Sequence, residues 1–215
     1  MLTGGRILKP GIALVVLAAL LLSALLASGA ISPASNIAHA KASHMQWDIV
    51  SIAPPGTVNA GGVASASAVD GSVITLTGSG TFVAPREGNA GNRSATGGGT
   101  WARFDIDGSP DGSGEYTVTG LVSWHLGSGD GRMGPADTIG EPEDQRSGLA
   151  VFTIKYSDGS EGVLVVSCRL PGPNNLPEMF EGITVSKGFL WYVNHTEPVP
   201  EVDAERTLFH VVRNP

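Results

Sequence analysis

The chain has 215 residues, with twenty acidic side chains against thirteen basic ones and a formal net charge of −7 when histidines are neutral. Its cations are scattered singly, which excludes the Lys/Arg clusters that hold a nucleic-acid partner. A lone cysteine, Cys168, excludes an intramolecular disulfide, so the fold must rest on burial.

Arg6 and Lys9 precede an uncharged, leucine-rich stretch from Gly11 to Ala30. A positive start, an apolar middle, the helix breaker Pro33 and the small-x-small run Ala38-His39-Ala40 match a secretory signal peptide, with cleavage expected after Ala40. Ser28-Gly29-Ala30 offers a second small-x-small site. The alternative is a retained single-pass anchor, since a helix of about 20 apolar residues crosses the hydrocarbon of a bilayer. In both cases the charge asymmetry leaves the N-terminus inside and the remainder outside. The expected organisation is therefore a signal peptide or membrane anchor over residues 1–40, forming a hydrophobic helix, followed by an extracytoplasmic β domain over 41–215. Membrane contact is expected only through residues 11–30, and only if the leader is retained.

After the leader, short β-branched and aromatic runs alternate with turn residues, and no window keeps helical apolar spacing. This predicts strands over Trp47–Ile52, Ser72–Thr77, Thr81–Ala84, Thr100–Ile106, Glu115–Leu126, Leu149–Tyr156, Val163–Leu170, Ile183–Val193 and Thr207–Val212. Ala53–Ala68 reads as a loop or irregular edge. Arg86–Thr96 and Gly127–Ser147 read as long polar loops. Ser157-Asp158-Gly159-Ser160 predicts a hairpin, because Asp-Gly accepts the positive φ of a tight turn. Three G-x-G runs, at Gly78, Gly97 and Gly112, lead into strands rather than helices. They therefore read as backbone covered by an aromatic, and not as phosphate cradles. About eight or nine antiparallel strands that must dispose of their edges imply an all-β domain, a single barrel or sandwich. The long strands, with Gly120 and Gly188 inside them, favour the barrel.

Alternation places Lys187 with Ile183, Val185, Phe189 and Trp191 on one face. Two accounts stand. A bulge or aromatic-rich edge at Gly188 lets Lys187 reach water, or the face lines a barrel cavity for a small apolar ligand, with Lys187 its one charge and Glu181 a partner. Cys168 falls on an apolar face, where a thiol is inert. His44, His125, His195 and His210 lack the spacing of a metal motif. Asp105–Gly112 resembles a calcium loop but carries Pro110 where the glycine belongs, and reads as an Asp-Gly turn. No nucleophile elbow or Ser-x-x-Lys run is present, so catalytic residues are not assigned and no cofactor is expected. Asn92-Arg93-Ser94 and Asn194-His195-Thr196 are glycosylation sequons.

The runs Gly148–Ser160, Gly162–Cys168 and Glu181–Phe189 resemble segments of uncharacterised exported bacterial all-β proteins, a resemblance that implies no activity. The function expected is a non-enzymatic binding module for a small apolar ligand or a surface partner. A barrel-type isomerase or cyclase with a pocket around Lys187, and a structural envelope protein, are the alternatives.

Overall fold

A computed structural model describes residues 43–85, 94–129, 131–171, 179–198 and 204–213. The leader and its expected helix lie outside these residues, as does Asn92 of the first sequon. Among the described residues no helix is long and apolar enough to cross a membrane.

The domain is all-β. Its strands are β1 (Ser43–Ala53), β2 (Thr57–Ala60), β3 (Ala64–Ala68), β4 (Val73–Leu76), β5 (Ser79–Ala84), β6 (Ala95–Phe104), β7 (Pro110–Leu126), β8 (Ala136–Asp137), β9 (Gln145–Arg146), β10 (Gly148–Tyr156), β11 (Glu161–Cys168), β12 (Gly182–Lys187), β13 (Leu190–His195) and β14 (Arg206–Val211). Eight of them close an antiparallel barrel in the order β4-β3-β13-β12-β11-β10-β7-β6, with β6 pairing back to β4. Beyond the barrel, β5-β1-β14-β9 continue the sheet from the lower half of β6, and β2 flanks β1. The segment expected as an irregular edge, Ala53–Ala68, thus holds two strands. Ala64, Ala66 and Ala68 of β3 turn inward, and their small side chains gave no apolar signal in the sequence.

β6 pairs with β4 along its upper half, as at Leu76–Trp101, and with β5 along its lower half, as at Ser79–Gly98. Glycine makes this fork possible. A Cβ on Gly80 would stand 2.0 Å from the Thr96 carbonyl oxygen, and one on Gly97 2.1 Å from that of Ser79. The indole of Trp47 lies over the bare backbone, with Nε1 2.7 Å from the same Gly80 position. β7 bends at two register shifts against β10, where Val122 and Thr119 are the extra residues on either side of Gly120 and Leu121.

Inside, alternation fills the barrel. Ile74, Leu76, Trp101, Tyr116, Ile154, Tyr156, Leu164, Val185 and Tyr192 point inward and are nearly inaccessible to water. Below them Trp47, Phe82, Trp124, Phe152 and Phe209 interlock between the barrel and the β5-β1-β14 extension, with ring centroids 4.7–6.1 Å apart.

The predicted strand Ile183–Val193 is instead two strands. Gly188 and Phe189 form a two-residue turn between β12 and β13, Lys187 faces Leu190, and Gly188 has φ +59°. A glycine at the first turn position is what a primed hairpin turn uses. Period-two alternation does not persist through such a turn, so the expected common face of Lys187, Phe189 and Trp191 does not exist.

Candidate functional site

Four hairpins, β3–β4, β6–β7, β10–β11 and β12–β13, turn at one end of the barrel and form its rim. Three of the turns repeat one sequence and one geometry: Val69-Asp70-Gly71-Ser72, Ile106-Asp107-Gly108-Ser109 and Ser157-Asp158-Gly159-Ser160. The glycines lie at φ +86°, +80° and +88°. In each, one aspartate Oδ1 accepts the serine N–H at 3.0 Å and the serine hydroxyl at 2.6–2.7 Å. These are three-residue loops closed by a left-handed glycine. The serine bonds hold the Asp70 and Asp107 carboxyls below the usual carboxylate range.

The loop's first position needs no particular side chain, yet two of the three carry a large apolar one. Val69 and Ile106 are 90% and 78% exposed, and Phe189, at the fourth turn, is fully exposed. The turns are contiguous. Tyr192 faces Ala68 across the β3–β13 ladder, which brings Val69 and Trp191 to the next step. Ile106 lies against Gly71, its Cδ1 2.7 Å from where a Cβ would stand. Ser157 N–H donates to the Glu115 carbonyl within β7, and Gly188 N–H to that of Glu161.

Lys187 closes the mouth inside this ring. Its ammonium pairs with Asp158, donates to Ser160 Oγ at 2.8 Å, and lies 4.4 Å and 4.8 Å from the ring centres of Trp101 and Tyr156. The Lys187 hydrogen bond, reinforced by Ser160, pulls the Asp158 carboxyl down to about 2. Beside it Arg103 pairs with Asp111 and reaches Asp105 at 3.8 Å. The expectation placed Lys187 as the one charge of a cavity inside the barrel; it lies instead at the mouth, as a paired plug over aromatic rings.

Of the residues expected around Lys187, Phe189 stands at the turn tip and Trp191 is half-exposed on the outer face of β13. Glu181 is elsewhere. It precedes β12, six residues from Lys187 and so roughly 20 Å along the strand. There its buried carboxylate accepts Arg169 N–H at 2.5 Å and Thr207 N–H at 2.9 Å, tying β11 to β14. Burial pushes its pKa up to about 7. Cys168 nearby is inaccessible, and burial raises its thiol well above the ordinary value.

A second polar cluster fixes the Gly127–Ser147 segment over β1 and β14; Asp137 and Asp144, which read as part of a solvated acidic loop, are buried in it, and His210 is the hydrogen-bonded core residue its neighbours suggest. Asp137 accepts His210 Nε2 at 2.8 Å, Gln145 Nε2 at 2.7 Å and Ile139 N–H at 2.9 Å. Gln145 Oε1 accepts Met133 N–H at 2.8 Å, and Arg213 Nε donates to Asp144 at 2.8 Å. Asp48 on β1, bonded by Gln46 at 2.9 Å, has its pKa pushed up by burial to about 6. His125 is exposed at the far end of β7.

The threefold Asp-Gly-Ser repeat was the sequence signal for the rim. It is legible only when all three copies are aligned, and only the third also sits between two strongly alternating runs. Comparison of the chain with protein-family models, with curated proteins and with solved structures finds no match.

Proposed function

We propose that this is a non-enzymatic binding module, working outside the cytoplasm, that docks its turn rim against a protein partner. The observation that carries the reading is the exposure of Phe189, Val69 and Ile106 on three adjoining turns of one barrel end. Large apolar side chains gathered at the surface, rather than scattered, mark interaction sites.

Charge indicates the partner's chemistry. The apolar tips sit among Asp70, Asp105, Asp107, Asp111 and Asp158, while two cations of the rim, Arg103 and Lys187, are taken up by carboxylates of the same rim. A matching surface presents an apolar socket edged with lysine or arginine. Anionic lipid would be repelled.

Two features favour a surface partner over a ligand held within the barrel or an enzyme. The inward side chains fill the interior. The Lys187 ammonium is bound by a carboxylate, a hydroxyl and two rings, which suits a plug better than a base or nucleophile. The test immobilises the protein beside a Val69→Ser/Ile106→Ser/Phe189→Ser variant and exposes both to the host's envelope and secreted fractions. The expected result is a protein retained by the native rim, released by rising salt and lost on the variant. Equal retention by both would overturn the reading.

A further inference from the structure

The rim is not the only apolar surface. Strands β7, β10, β11, β12 and β13 adjoin in the barrel wall, and their register sets the outward residues in rows. Ser123, Val151, Val165 and Thr184 face one another in succession across four strands. Thr153 faces Val163, and Ser186 faces Trp191. Val122, Trp191 and Val193 are about half-exposed, and Val151, Val163 and Val165 are partly so. These rows carry no charge, although the chain as a whole is strongly acidic.

We propose that this wall is a two-fold interface between copies of the chain. Two bodies of net charge −7 repel, and they can approach only where neither presents charge. The border of the face is self-complementary. At its rim-side edge Lys155 and Glu161 lie opposite each other in the β10–β11 ladder, both exposed and both outward. A two-fold axis through the face sets Lys155 of one copy against Glu161 of the other, and the reverse, as an isologous contact requires. The two walls pack as stacked sheets about 10 Å apart. Hydrocarbon is a poorer occupant, because the hydroxyls of Thr153 and Thr184 lie among the valines. Thr153 Oγ1 accepts from the Thr119 hydroxyl at 2.9 Å, and Ser186 Oγ accepts Val163 N–H at 3.0 Å, as polar groups on a sheet-packing face do.

Five strands span roughly 20 Å, so the contact falls at the small end of specific interfaces and the association is reversible. The experiment is sedimentation velocity on protein purified from its own host, from roughly 1 µM to 1 mM, a range that brackets weak dimers. The native protein is expected to double in mass across that range. Val165→Asp, an outward change in the middle of the face, should remain monomeric with its far-UV spectrum unchanged. Lys155→Glu and Glu161→Lys should each weaken the dimer at least several-fold, and the two together should restore it. A native protein that stays monomeric to the top of the range overturns the proposal, as does a Val165→Asp variant that dimerises like the native chain. Flotation with phosphatidylcholine vesicles that is lost in Val165→Asp, without any dimer, would also overturn it and give the face to a bilayer.

Discussion

Replacing Glu181 by glutamine should change not only the stability of the domain but the way stability depends on pH. The native carboxyl is buried and its pKa is about 7 in the fold against 4.5 when free. A folded value above the unfolded one means that the folded state holds the extra proton between them. The contribution is therefore complete below about pH 4.5 and is lost as pH rises to about 7, a fall worth about 3 kcal/mol at 1.36 kcal/mol per decade. Asp48 adds a decline of the same sign between 3.8 and about 6. In Glu181→Gln, one carboxylate oxygen becomes an NH2 group, so either Arg169 N–H or Thr207 N–H loses its acceptor, at about 1–3 kcal/mol. The variant has nothing to ionise. Urea unfolding at pH 4.5, 6, 7 and 8 should find it less stable than the native protein at the acid end, with the gap closing by about 3 kcal/mol toward pH 8. A gap that stays constant with pH, or a native protein that gains stability from pH 4.5 to 7, would refute the reasoning.

Asp137→Ala should cost about 2–4 kcal/mol in thermal unfolding, because it strands the buried Gln145 amide and the His210 imidazole; limited proteolysis should then cut first within residues 127–147. Gly80→Ala should abolish folding, as judged by circular dichroism, since the new Cβ would lie 2.0 Å from a main-chain oxygen that cannot yield. Lys187→Met should let the Asp158 carboxyl rise from about 2 toward its free value of 3.8, followed by NMR titration, with the barrel intact. Cys168 should resist thiol reagents until the domain unfolds, in step with its urea transition.

What the sequence makes legible follows the strength of local signals. β10 and β11 alternate strongly and flank an Asp-Gly turn, and their pairing from Gly148–Cys168 to Lys155–Glu161 matches the expected hairpin. The barrel was one of two closures that many antiparallel strands allow, and the pairing of β4 with β6 decides between them. β3 escaped notice because alanine and serine carry little contrast, although its alanines are fully inward. The β12–β13 turn was hidden by Phe189, an aromatic at the tip of a turn that reads as the continuation of a strand. That same misplacement set Lys187 in a shared face with Phe189 and Trp191 and joined it to Glu181, which belongs to the other end of β12. The buried carboxylates Asp48 and Asp137 are polar residues whose cover comes from distant chain, and nothing local announces it.

The claim that the rim is the working surface is tested most directly by photo-crosslinking in the native host. A benzophenone amino acid is placed at position 189, and for comparison at position 125 on the far end of β7. The account predicts a single dominant protein adduct from position 189, weakened when Asp70 and Asp107 are changed to lysine, and none of that mass from position 125. Adducts of the same mass from both positions, or none from position 189, would contradict it.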